Sequence, residues 1–118
     1  MRRSRLAKQS VVETPEFIKR ASAVGMSDED RMDVIDQLAA NPEAGISLGG
    51  GLRKVRVARR GGGKSGGYRV LHFYREPDMP IFLLSVFTKN EKANITRAER
   101  ADLIKLCDLI AKTYGAQK

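Results

Sequence analysis

The sequence predicts an α+β domain with two N-terminal helices, an antiparallel sheet of three to four strands and a closing helix. Two observations predict it. The apolar period is close to 3.6 over the first forty residues, changes to 2 from Leu52, and returns to 3.6 after Thr96. The turn residues between the period-2 runs are those of hairpins rather than of βαβ crossovers.

Each element has its own reason. Val11 and Val12 suggest a short strand. Thr14-Pro15 reads as an N-cap followed by proline at the first helical position. Phe17, Ala21 and Val24 then share a helical face, and Gly25 closes that helix. Ser27-Asp-Glu-Asp30 opens a second helix with acidic residues where the helix dipole favours them. Its expected apolar stripe is Met32, Ile35, Leu38 and Ala39, and Asn41-Pro42 stops it. Leu52 to Ala58 alternates, so Val55 and Val57 fall on one face and Lys54 and Arg56 on the other. Tyr68 to Tyr74 is rich in β-branched and aromatic residues, and Ile81 to Phe87 reads as a central strand apolar on both faces. Thr96-Arg-Ala-Glu99 is a capping box. Behind it Leu103, Leu106, Cys107, Ile110 and Tyr114 form an apolar face that Gly115 is expected to end.

A chain of 118 residues fits one domain. Residues 1–10, with Arg2, Arg3, Arg5 and Lys8, are expected to be a basic arm, and residues 11–118 a single domain. One cysteine, Cys107, excludes an intrachain disulfide and a cysteine-rich zinc cluster. No apolar run reaches the ~18 residues of a membrane span, and the basic N-terminus lacks the apolar stretch of a secretion signal. The expectation is a cytoplasmic protein.

Charge is distributed unevenly. The chain carries 22 basic and 14 acidic residues, yet Ala44 to Arg75 contains no Asp or Glu. That window holds Arg53, Lys54, Arg56, Arg59, Arg60, Lys64, Arg69 and Arg75, and these eight match the whole net charge of +8. Like charges repel, so a block of one sign laid on strands points to a polyanionic partner.

The window also contains GGGKSG, residues 61–66, which mimics a phosphate-binding loop. Such a loop needs a helix after it to supply free N–H groups and a positive dipole end. Here a strand follows, and Ala58 stands where the Walker pattern needs glycine. The stretch from Arg59 to Gly67 is therefore a hairpin loop, with Arg59, Arg60 and Lys64 placed to lie along a phosphate chain.

Most catalytic sets are missing. His72 is the only histidine and sits mid-strand, where a structural role fits it best. No paired carboxylate pattern offers a metal site, and no cofactor is expected. Lysines and arginines around a sheet can still cleave RNA. The nucleophile is RNA's own 2′-hydroxyl, so the protein need only stabilise charge and relay protons. A lysine crowded by cations gives up its proton more readily and can serve as base. Such a site is weak unless something else positions the RNA.

The blocks VVETPEF, GGLRKVRVAR, KSGGYRVLHFY and IFLLSVFTKNEKANIT, in that order before a capped helix, resemble the RelE/ParE toxin superfamily, and most of all its HigB-like branch. The likeness runs from about Val11 to Ala111. It implies a type II toxin that acts as a ribosome-dependent mRNA endonuclease, an mRNA interferase cutting in the ribosomal A site. A cognate helix-turn-helix, HigA-like antitoxin would hold it inactive. The ribosome would supply the missing positioning. By this resemblance Lys54, Arg56, Arg69 and Lys89 are the catalytic positions. Arg53, Arg59, Arg60, Lys64 and Phe87 are the RNA-binding candidates. RelE has a tyrosine shortly after its last basic position, whereas residues 92–97 here hold no aromatic, and Phe87 or Tyr114 is the candidate substitute. The same resemblance leaves a ParE-like gyrase poison as an alternative. A non-catalytic RNA- or ribosome-binding module is the other alternative.

Overall fold

A computed structural model describes residues 9–59, 67–91 and 94–116. Strand β1 (Val11–Glu13) leads into helices α1 (Pro15–Ala23) and α2 (Asp28–Ala40). Strands β2 (Ile46–Gly49), β3 (Leu52–Val57), β4 (Tyr68–Phe73) and β5 (Ile81–Thr88) follow, and α3 (Arg97–Ala116) closes the chain. The fold is α+β, as the change of period predicts.

Helix starts form where the sequence puts them. The Thr14 hydroxyl accepts from Phe17 N–H at 3.2 Å, and the Ser27 hydroxyl from Asp30 N–H at 3.0 Å. Thr96 and Glu99 exchange reciprocal bonds of 3.0 and 2.7 Å, completing the capping box of α3. That helix runs through Ala116, past the expected stop at Gly115.

The sheet has five strands in the order β1-β5-β4-β3-β2, more than the three to four expected. It is mixed rather than purely antiparallel, because β1 pairs parallel with β5. A strand of three residues carries no sign of its pairing direction. The ISLG segment that forms β2 shows too little alternation to be read as a strand. Gly45 makes that edge possible. With φ +83° it lies so close to β3 that a Cβ would stand 2.1 Å from the Lys54 carbonyl oxygen.

Residues 9 and 10 already belong to the folded body. Gln9 N–H donates to Ala39 O at 3.1 Å, Ile81 N–H donates to Ser10 O at 2.9 Å, and the Gln9 amide reaches the carbonyls of Pro77 and Met79. The rest of the expected basic arm lies outside the described residues.

Apolar cores cover both faces of the sheet. On one, Phe17 and Ala21 of α1 and Val34 and Leu38 of α2 pack on Val55, Val57, Val70, Leu83 and Val86. The expected α2 stripe is turned: Val34, Leu38 and Ala39 are buried, whereas Met32 is 53% exposed. The cause is polar. Asp30 is buried and its carboxylate accepts from the Tyr68 hydroxyl at 3.0 Å, which points that edge of α2 at the sheet.

On the other face Cys107 of α3 packs with Leu48, Leu52, Leu71, Phe73, Leu84 and Phe87. Arg100 donates to Leu48 O at 2.9 Å, and Arg75 pairs with Asp108 at 2.8 Å, so α3 is tied to the β2–β3 side. An apolar groove of 610 Å³ remains beside it, floored by Leu71, Phe82 and Leu84 and bordered by Val12 and Leu106. No helix among the described residues is long and apolar enough to cross a membrane.

Candidate nucleic-acid interface

Alternation along β3 and β4 decides which cations meet. Leu52, Lys54 and Arg56 point to the α3 face, and Arg53, Val55 and Val57 to the α1/α2 face. On β4, Arg69 shares the α3 face with Leu71 and Phe73. Pairing is antiparallel with Arg56 opposite Arg69, Lys54 opposite Leu71, and Arg69 opposite Phe87 of β5. Arg56 and Arg69 are therefore cross-strand neighbours, and Lys54 stands one pleat along on the same face. The helix covers the apolar half of this face, and the three cations occupy the other half.

None of the three is neutralised. No ion pair among the described residues involves Lys54, Arg56 or Arg69. Lys54 Nζ donates to Asn94 Oδ1 at 3.0 Å, and Arg69 makes a 3.4 Å bond to Gly67 O. Like charges directly opposed across a strand pair destabilise a sheet. A fold selected for stability alone would place a carboxylate here.

The other expected residues are placed differently. Arg53 faces the opposite side, where its guanidinium donates to the carbonyls of Glu43 (2.7 Å), Ala44 (3.2 Å) and Gly45 (3.2 Å). It staples β3 to the chain entering β2. Arg59 also lies on the α1/α2 side, 5.5 Å over the Tyr68 ring. There it lines a polar recess of 300 Å³ with Lys89, Gly67, Thr88 and Asn90. Lys89 is exposed in the turn after β5, in that recess rather than in the Arg56–Arg69 row. Arg60 and Lys64 lie outside the described residues.

Two aromatic expectations need correction. Phe87 is 2% exposed and belongs to the core under α3, so its ring has no open face for a base to stack on. Tyr114 is at the far end of α3, where its hydroxyl donates to Asp78 O at 3.2 Å in the β4–β5 turn. It is distant from the strand ends that carry Arg56 and Arg69.

Sequence reasoning missed Asn94, whose amide meets Lys54 across 40 positions of chain. It also missed the clamp that shapes the β5 exit. Arg20 of α1 binds both carboxylate oxygens of Glu91 at 2.6 Å, and Glu91 accepts from Thr88 N–H at 3.2 Å. The only hint was Arg20 in the last turn of α1 and Glu91 inside TKNEK, too far apart to be paired by spacing.

Two buried groups stand outside the cationic row. His72 is fully buried, its Nε2–H donates to Pro42 O at 3.1 Å, and Nδ1 has no partner. Burial lowers its pKa from 6.5 to about 4, with the nearby Arg53 charge adding to this and the Pro42 bond opposing it. The imidazole is thus neutral and structural. Burial also pushes the Cys107 thiol up to about 12, which leaves it an inert core residue.

Fold and interface together define a small α+β protein that presents an unneutralised basic strand face, a form suited to a polyanion. Over residues 9–117 the chain matches the family described as the RelE toxin of the RelE/RelB toxin-antitoxin system, and it belongs to that family. It is a toxin-antitoxin toxin with an antitoxin partner, from a family whose members generally inhibit translation as endonucleases.

Proposed function

We propose that this toxin is a ribosome-dependent mRNA endonuclease of the HigB-like branch, acting in the cytoplasm on mRNA in the ribosomal A site. The observation that carries the reading is the direct cross-strand opposition of Arg56 and Arg69, with Lys54 on the same face and no carboxylate paired with any of them among the described residues. Bringing a phosphodiester between these cations turns their mutual repulsion into shared attraction.

In this mechanism the RNA 2′-oxygen attacks the adjacent phosphorus, and the bond from phosphorus to the 5′-oxygen breaks. The products are a 2′,3′-cyclic phosphate and a 5′-hydroxyl end. Arg56 and Arg69 hold the nonbridging oxygens as charge builds on them. Lys54 accepts or delivers a proton on the same side. Lys89 serves at the margin, reaching toward the leaving strand from the turn after β5. Arg59, Arg60 and Lys64 dock the phosphate chain. The ribosome presents the RNA in line, which supports the reading that so few groups suffice. A HigA-like antitoxin of complementary charge would cover the cationic row.

Arg69→Ala tests this. Growth arrest is expected to disappear and A-site cleavage, read by primer extension on translating ribosomes, to fall at least ~100-fold, the scale of losing a charge-stabilising donor. Its melting temperature should not fall below that of the wild type, because the change also relieves the opposition of Arg56 and Arg69. Cleavage at the wild-type rate would remove Arg69 from the site.

A further inference from the structure

Among the described residues the long cations have partners of different kinds, and Arg53 and Arg100 are held by backbone carbonyls. Arg20 meets Glu91, Arg31 meets Glu13 and Asp28, and Arg75 meets Asp108, each an ion pair with a carboxylate. Lys54 meets an amide oxygen instead. We infer that Asn94 is a positioning residue for Lys54, holding its ammonium over the α3 face without neutralising it. This rests on the proposed role of Lys54 in RNA cleavage.

The geometry is specific. One oxygen, Asn94 Oδ1, accepts from Lys54 Nζ at 3.0 Å and from the backbone N–H of Ile95 at 2.9 Å. The second bond locks the amide to its own backbone. That backbone is fixed in turn, because Ile95 packs against the α3 core and Thr96 begins the capping box. Lysine carries its charge on a flexible four-carbon stem, so an acceptor in a rigid place removes freedom from a group that otherwise has several rotamers. Aspartate could accept the same two bonds, but its charge would offset the cation that a phosphate needs. An amide supplies direction and leaves the charge in place.

The test is single-turnover cleavage on programmed ribosomes with Lys54→Ala, Asn94→Ala, the double variant and Asn94→Asp. Asn94→Ala is expected to cleave about tenfold more slowly at saturating ribosome, as loss of orientation does. Ribosome affinity and melting temperature should be unchanged. The double variant should be no slower than Lys54→Ala alone, since the two act as one unit. Asn94→Asp should also be slow. Multiplying effects in the double variant, or wild-type cleavage by Asn94→Ala or Asn94→Asp while Lys54→Ala is slow, would overturn the inference and leave the proposed function standing. Wild-type cleavage by Lys54→Ala would remove Lys54 from the site and Asn94 with it.

Discussion

Arg53 and Arg56 lie three residues apart on the same strand and do different work. Arg53, on the α1/α2 face, spends its guanidinium on three backbone carbonyls. Arg56, on the α3 face, is exposed and stands opposite another arginine. The contrast extends to the whole sheet. Polar groups on the α1/α2 face are tied into structure: Tyr68 to Asp30, His72 to Pro42, Arg53 to the β2 entrance. On the other face the cations beyond the cover of α3 keep their charge unspent. Over the sheet itself the α1/α2 face is built to hold together and the α3 face to meet something, while Arg59 and Lys89 line the recess just beyond the strand ends.

The sharpest way to break this contrast is through acid. His72 has a folded-state pKa of about 4, below its ordinary 6.5. The unfolded chain therefore takes up the proton first, and stability falls as pH drops from about 6.5 toward about 4. Above that window both states are neutral and His72 contributes no slope. One pKa unit corresponds to about 1.4 kcal/mol, so the loss approaches about 3 kcal/mol at the acid end. Urea unfolding across this range should show the limb in the wild type and a flatter one in His72→Phe. An identical limb in both would mean that His72 is not held neutral by the α1/α2 face.

A smaller effect is expected from Tyr68→Phe, which removes the 3.0 Å donor to the buried Asp30 carboxylate. A lost bond to a buried charged group costs about 1–2 kcal/mol. The urea midpoint should fall while the cleavage rate of the folded protein is kept. An unchanged midpoint would show that this link does not hold α2 to the sheet.

The smallest effect separates the two arginines directly. Arg53→Ala frees three carbonyls and should cost about 1 kcal/mol, with cleavage preserved. Arg56→Ala relieves a like-charge pair and should raise stability by about 0.2–0.5 kcal/mol while slowing cleavage. If both variants shift the urea midpoint the same way, the two faces are not specialised as described.

Much of this was legible in the sequence because it is encoded locally. Thr14-Pro15, Ser27 and Thr96-Arg-Ala-Glu99 mark helix starts through bonds to residues three positions away. The alternation of LRKVRVA placed Lys54 and Arg56 on one face, and that of YRVLHFY separated Arg69 from His72. What failed depended on partners elsewhere. Asp30 reads as a surface residue in an acidic first turn, yet it is buried and meets the Tyr68 hydroxyl 38 positions away. Phe87 at a strand end reads as available, and only α3 buries it.

The sequence by itself determined the α+β class, the helix caps, the acid-free window and the face on which each strand residue lies, because these follow from periods of 2 and 3.6 and from contacts within a few residues. Tertiary structure alone decided that Arg56 stands opposite Arg69, that β1 joins the sheet parallel to β5, and that Asn94 meets Lys54. Strand period fixes which way a side chain points, whereas register and neighbours come from packing between segments distant in the chain.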